Sequence, residues 1–372
     1  MKFLIIQLGH FGDCLYVTTI AKQIKNDFPF SHITWAIASR YRSILDGNPD
    51  VDRVWEISTS KVYPCDPDWK PFLLDVHKRK GDGEFDEVIF PQVLPFNLKN
   101  CTGTIRGTLL NSYPKPITVP VTPVLRLSQK EIENVKNFAF RNRLADFQQV
   151  VLFECNPTSK QSPVNISMAI RIAEYITKQN KEVLFIISSI QSLSTSNDRI
   201  VDASEISFRE NAELIRYCDL LIGCSSGITW VSTSEAAKKI PMIQLLSPDY
   251  FLCHGVKFDH ALWNLNTHNI IEMTDYDEQK ATNCIEAALL NFNECAKQYQ
   301  QEYIVDYYHF SRIVNLQLEL YEFLKIFRMY RSFSIHNPCL RKSELLKILT
   351  SRMLLFPFVK FGRLPKKIFG RR

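Results

Sequence analysis

The 372-residue chain is 45% hydrophobic and 23% charged, a globular composition with length for two ordinary domains. Its ten cysteines contain no CxxC pair, which excludes a zinc-finger pattern and a disulfide framework and fits a reducing, cytosolic compartment. No segment reaches the ~20 apolar residues of a membrane span, and the apolar start FLII is too short for a signal peptide.

In chain order, residues 3–8 form a short apolar strand and 14–26 a helix with Leu15, Ile20 and Ile24 on its apolar positions. Residues 32–38 (HITWAIA) read as a second strand, 41–45 as a short helix, 51–57 (VDRVWEI) as a third strand and 85–90 (FDEVIF) as another. The proline-rich stretch SYPKPITVPVTPVLRLSQ then interrupts the pattern as an extended crossing. After a helix at 130–143, alternation resumes with strands at 150–154, 182–188, 200–202, 220–223 and 242–246. Helices fall between them at 164–178, 208–217 and 228–239, and a long helical stretch covers 285–331. Two runs of βαβ alternation predict an α/β protein of two doubly wound, Rossmann-like domains facing a cleft.

The formal net charge of +6 is concentrated at one end: residues 325–372 hold 13 Lys and Arg against the single acid Glu344. Any attraction to anionic partners therefore belongs to this tail. Within it, Ser343 is placed to cap a helix that Pro357 ends. Leu345, Leu346, Ile348, Leu349 and Met353 gather on one side, with Lys347 and Arg352 positioned to reach headgroups. This composition predicts docking on an anionic membrane surface. The competing reading is a helix packed back on the acidic body. No nucleic-acid recognition motif accompanies the charge.

Three strand-to-helix mouths attract attention. The first strand leads into LGHFGDCLYVTT. Its spacing, G-x-x-G-D, is neither the dinucleotide fingerprint nor a P-loop. Asp13 there is either the helix N-cap or a functional acid. A helix N-terminus would lower its pKa and weaken it as a base unless burial opposes this. The strand DLLIG runs into CSSG, where Gly227, Ser226 and Ser225 could hold a diphosphate on backbone N–H groups and hydroxyls, or simply cap a helix. The strand VVLFE runs into CNPTSKQSP, where Lys160 is either a phosphate-binding cation or a solvated lysine.

With these pieces in order, the chain resembles glycosyltransferase family 9, the heptosyltransferases of lipopolysaccharide biosynthesis. The resemblance rests on FLIIQLGHFGDCLYVTT, on GNPDVDRV, on SKQSP and on FRENAELIRYCDLLIGCSSGITW. It covers residues 1–57 and about 150–246, is weak from 58 to 149, and is absent after about 330. It implies a GT-B fold and an inverting transfer from a nucleotide-sugar, with no metal or cofactor. The acceptor would be lipid-linked, at the inner face of the cell membrane. Carried over by position, Asp13 is the general base, while Gly12, Lys160, Ser225, Ser226 and Gly227 surround the donor. The corresponding domains are an acceptor-side domain at 1–125, a donor domain at 126–300, a helix at 301–331 and the basic tail at 332–372. Three positions depart from the family pattern. Ser225 stands where an aspartate is usual and Trp230 where a histidine is usual, and no acid follows the strand at 182–188. A nucleotide-sugar epimerase or a non-catalytic nucleotide-sugar binder would use the same scaffold.

Overall fold

A computed structural model describes residues 1–58, 69–155, 157, 160–321 and 323–360. Its first sheet contains β1 (Lys2–Ile6), β2 (His32–Ala38), β3 (Arg53–Ile57) and β4 (Glu87–Ile89), all parallel, in the order β3-β2-β1-β4. The second sheet contains β5 (Gln149–Glu154), β6 (Val183–Ser188), β7 (Ile200–Asp202), β8 (Leu220–Gly223), β9 (Met242–Leu245) and β10 (Ile270–Met273). It is also parallel, in the order β10-β9-β8-β5-β6-β7. Parallel strands are covered on both faces, so they are near-continuous apolar runs. In β6 every residue is buried, and in β1 all but Lys2.

Helices connect and cover the strands: α1 (Phe11–Asp27), α2 (Trp69–Gly81), α3 (Ile105–Leu110), α4 (Gln129–Arg141), α5 (Ile166–Gln179), α6 (Asn211–Leu214), α7 (Gly227–Ser232), α8 (Val256–Leu262), α9 (Glu278–Leu290), α10 (Phe292–Tyr299), α11 (Tyr307–Glu319), α12 (Phe323–His336) and α13 (Lys342–Lys360). One core cluster runs continuously from the first sheet through α1 into the second domain, joining Leu4, Ile20, Trp230, Val256 and Phe310. A second fills the other face of the larger sheet beneath α5 and α9, around Phe153, Ile172 and Ile285.

The proline-rich crossing makes no regular element between residues 114 and 128. It is strapped along α1 instead: Gln23 Oε1 accepts from the N–H of Thr118 (2.7 Å) and Val119 (3.0 Å), and Thr18 Oγ1 from that of Val124 (2.9 Å).

Several expectations are corrected. The long helix at 285–331 is four helices, because Asn291 and Asp306 cap new starts at α10 and α11. Such caps satisfy N–H groups that a continuous helix would bond internally. The helix expected at 228–239 stops at Ser232. There Ser232 Oγ donates to the Thr229 carbonyl and Thr233 Oγ1 to that of Trp230 (2.8 Å), local bonds that compete with helix continuation. Pro357 lies inside α13 and does not end it, at the cost of the bond an N–H there would make to the Met353 carbonyl, and Ser343 lies within the helix instead of capping it. Helices α2, α3 and α8 and strand β10 have no counterpart in the expected elements.

The chain's last helices return to the first domain. Asn337 Nδ2 donates to the Thr102 carbonyl (2.9 Å) and Asn111 Nδ2 to Ser332 Oγ (3.1 Å). In α13, Leu345 and Leu349 are fully buried against the body. The apolar side expected to face lipid is therefore turned inward there. Residues 361–372 lie outside the described residues.

Candidate active site

In a doubly wound sheet the ligand crevice opens where the strand order reverses. In the first sheet that point lies between β1 and β4; in the second it lies between β5 and β8. The three mouths singled out in the sequence follow β1, β5 and β8. Helices α1 and α7, which leave β1 and β8, pack against one another. The topology thus brings the Asp13 turn and the Ser225–Gly227 segment together.

Asp13 is not the N-cap of α1. That position belongs to His10, which makes no side-chain cap, and Asp13 sits within the first turn. It is half-buried and neither hydrogen-bonded nor ion-paired with any described residue. Desolvation pushes its pKa up to about 7. Burial therefore outweighs the helix N-terminus, which alone would hold the carboxyl low. A carboxylate poised near neutral pH is suited to accept a proton from a hydroxyl.

The start of α1 lies against the second domain: a Cβ at Gly12 would stand 3.4 Å from Trp230 Cδ1, an ordinary van der Waals contact. Trp230 is buried on α7, donates from Nε1 to the Ser225 carbonyl (3.1 Å), and meets Tyr16 of α1 edge-on at 4.6 Å between ring centroids. Beside it, Phe11 stacks on Phe208 at 4.4 Å, and the Phe208 ring occupies the space a Cβ on Gly227 would need. Glycine at 227 therefore leaves room for the Phe208 ring that stacks on Phe11 of the other domain.

The Ser225–Gly227 segment is fixed by internal bonds. Ser225 has φ of 50° and is fully buried. Its N–H donates to Gln244 Oε1 (3.0 Å) and its hydroxyl to the His254 carbonyl. These bonds hold a non-glycine residue in the left-handed region, a strain that concentrates at functional sites. The hydroxyl of Ser226 donates to Glu154 Oε1 (2.8 Å). Both hydroxyls are therefore engaged within the protein. Among the described residues, the N–H groups of Ser226 and Gly227 have no partner.

Glu154, at the end of β5, is the residue that sequence reasoning missed. It is 2% exposed. Its Oε1 also accepts from the N–H of Ile228 (2.8 Å) and Thr229 (3.3 Å), while Oε2 accepts from Cys224 N–H (2.8 Å) and Thr229 Oγ1 (2.6 Å). A neighbouring strand thus places a carboxyl at the α7 N-terminus, where it accepts from two of the helix's backbone N–H groups. A lone Glu closing the apolar run VVLF was the available signal.

Lys160 is exposed, with φ of 59° and no ion pair among the described residues. Its loop is coupled to Ser225 through His254: the imidazole Nε2 lies 2.9 Å from the Gln161 carbonyl, and the His254 carbonyl takes the Ser225 hydroxyl.

Behind the α1–α7 contact lies a buried ion pair, also unforeseen. Arg106 Nε of α3 stands 3.2 Å from Asp259 Oδ2 of α8, both almost fully buried. The guanidinium lies over the rings of Tyr16 (4.7 Å) and Trp230 (5.3 Å). Desolvation pushes Asp259 up to about 6 against the pull of Arg106. Desolvation, reinforced by Arg106, brings Lys239 down to about 8.

No protein-family model matches the chain, and neither does any curated protein. Solved structures do. The glycosyl transferase family 9 protein from Veillonella parvula DSM 2008 is similar at 15% identity, covering 79% of this chain and 92% of that one, with a TM-score of 0.53. The Escherichia coli ADP-heptose lipopolysaccharide heptosyltransferase II is similar at 14% identity over 78% and 99%, with a TM-score of 0.50. A UDP-N-acetylglucosamine 2-epimerase is similar at 10% identity over 87% and 97%, with a TM-score of 0.45. The fold is GT-B: two Rossmann-like domains with their crevices face to face. At such identities the likeness describes architecture.

Proposed function

We propose that the chain is an inverting glycosyltransferase. It moves a sugar, a heptose or a related hexose, from a nucleotide-diphosphate sugar to a hydroxyl of a lipid-linked surface glycan of the lipopolysaccharide kind. Asp13 takes the hydroxyl proton as the oxygen attacks the anomeric carbon. A carbon–oxygen bond forms on one face, the bond to the diphosphate breaks on the other, and the nucleoside diphosphate leaves. Its growing charge is met by Lys160 and by the N–H groups of Ser226 and Gly227, fixed dipoles that need no reorganisation during reaction. The two facing domains exclude water from the reacting centre. The acceptor's lipid anchor puts the reaction at the cytoplasmic face of the membrane.

The observation that carries this reading is the half-buried, unpartnered Asp13 carboxyl with its pKa pushed up to about 7. It sits at the switch point of one GT-B domain, next to the α7 start of the other. The test is a panel of ADP-, GDP-, UDP- and dTDP-sugars incubated with a lipid-linked glycan fraction. The expected result is an acceptor heavier by one glycosyl unit, one nucleoside diphosphate released per transfer, and inverted anomeric configuration. A donor altered without acceptor would indicate an epimerase. Binding without turnover, unchanged in Asp13→Ala, would indicate a binding protein.

A further inference from the structure

Two positions at the proposed donor site hold left-handed backbone without being glycine: Lys160 has φ of 59° and Ser225 φ of 50°. Such conformations persist only where the surroundings over-determine them. The two lie on different turns, after β5 and after β8, and one buried residue reaches both. His254, in the segment between β9 and α8, accepts the Ser225 hydroxyl on its backbone carbonyl. Its imidazole Nε2 stands 2.9 Å from the carbonyl of Gln161, the residue after Lys160.

The surroundings of the ring decide where its proton sits. Desolvation by burial brings the pKa of His254 down to about 4, so the imidazole is neutral near pH 7 and carries one N–H. A carbonyl oxygen only accepts, so the nitrogen facing Gln161 is the protonated one. Nδ1 is then an acceptor, and Tyr303 OH, 2.9 Å away, donates to it; the Leu252 carbonyl is the more distant neighbour at 3.3 Å. Tyr303 is itself buried and comes from the segment between α10 and α11. The Gln161 carbonyl takes a second donor, the N–H of Ser247 (2.8 Å), from the same segment as His254. A directed chain of hydrogen bonds thus runs from Tyr303 through His254 to Gln161 and ends one residue from the Lys160 ammonium's own backbone. Both ring nitrogens are spent on the protein, so the ring acts on the turn and not on a substrate proton.

We propose that His254 is a positioning residue of the donor site: its Nε2–H, oriented by Tyr303, fixes the turn that carries Lys160 relative to the Ser225–Gly227 segment that its own carbonyl holds. This role presupposes Lys160 as a donor contact, as proposed above.

The test is calorimetry of the full chain with ADP, GDP, UDP and dTDP, continued with whichever binds most tightly. His254→Leu lowers that affinity about tenfold, the worth of one directed hydrogen bond. His254→Gln, whose amide N–H can stand where Nε2–H stood, restores most of it. In a Lys160→Ala background, His254→Leu costs less than about twofold more, because the residue through which it acts is gone. Parent-like affinity in His254→Leu, or the same loss with and without Lys160, would overturn the role of His254 while leaving that of Lys160 intact. Parent-like affinity in Lys160→Ala, or no binding of any of the four nucleotides by the parent, would overturn the donor reading and the role of His254 with it. Nitrogen-15 NMR of the parent's histidine side chains, with His254 assigned by its loss in His254→Gln, checks the geometry without a ligand. A protonated Nε2 and a bare Nδ1 are expected; a protonated Nδ1 would overturn the proposal.

Discussion

The turn after β1 and the turn after β8 are built alike and used oppositely. Each follows a buried parallel strand at a switch point, carries a glycine, and opens a helix packed on the other domain. In the first, the carboxylate belongs to the helix itself and is left without a partner, so desolvation lifts its pKa. In the second, the carboxylate comes from β5 and accepts five hydrogen bonds. One acid is left without donors and the other is spent on structure. A carboxyl's role at such a turn is therefore decided by how many donors reach it, and only weakly by the helix terminus both turns share.

The largest expected effect separates the two acids by activity. Asp13→Asn should lower transfer by ~10²–10⁴ with donor affinity preserved, as read by steady-state kinetics and calorimetry. Parent-like turnover would remove the assignment. Glu154→Ala should do the reverse in kind. Removing a buried charge with five donors should cost ~3–5 kcal/mol of stability, measured by urea denaturation, whereas Asp13→Asn should leave the midpoint where it is or raise it. Equal destabilisation by both would erase the contrast.

Smaller effects sharpen it. Lys160→Ala should weaken donor binding by ~10–100-fold through the lost charge-assisted contact without lowering stability, because the side chain is exposed. Gly227→Val should weaken donor binding and also destabilise, because Phe208 fills the space; calorimetry and thermal melting read the two effects separately.

The smallest concerns pH. Asp13 has a folded pKa of about 7, and Asp259 about 6, both above the ordinary carboxyl value of 3.8. The folded state thus retains protons that the unfolded state has lost between about pH 4 and 7. The stability these two groups contribute should fall as pH rises through that window, so Asp13→Asn, which removes one of them, should lose less stability than the parent between about pH 4 and 7.

Much of the fold was legible because parallel strands announce themselves as apolar runs. The strand at 32–38 and those at 200–202 and 220–223 have the expected bounds. The position of Asp13 was legible too, since glycine spacing and an acid after a strand are local signals. What escaped depends on distant partners. Glu154 matters because of donors seventy and more residues away. Arg106 sits in the small-residue run TGTIRGTLL and finds Asp259 only when the domains meet. Trp230 looked like a departure from pattern; its packing against Tyr16 of α1 required both domains. The helices after residue 285 were merged because apolar spacing persisted across Asn291 and Asp306, whose capping role overrides periodicity.

The central claim, an unpartnered carboxyl kept near neutrality at the first switch point, can be measured without knowing any substrate. Carbon-13 NMR of the aspartate side-chain carboxyls, with Asp13 assigned by its disappearance in Asp13→Asn, gives the titration directly. A midpoint of about 7 is predicted; a midpoint in the ordinary carboxylate range near 4 would contradict the account.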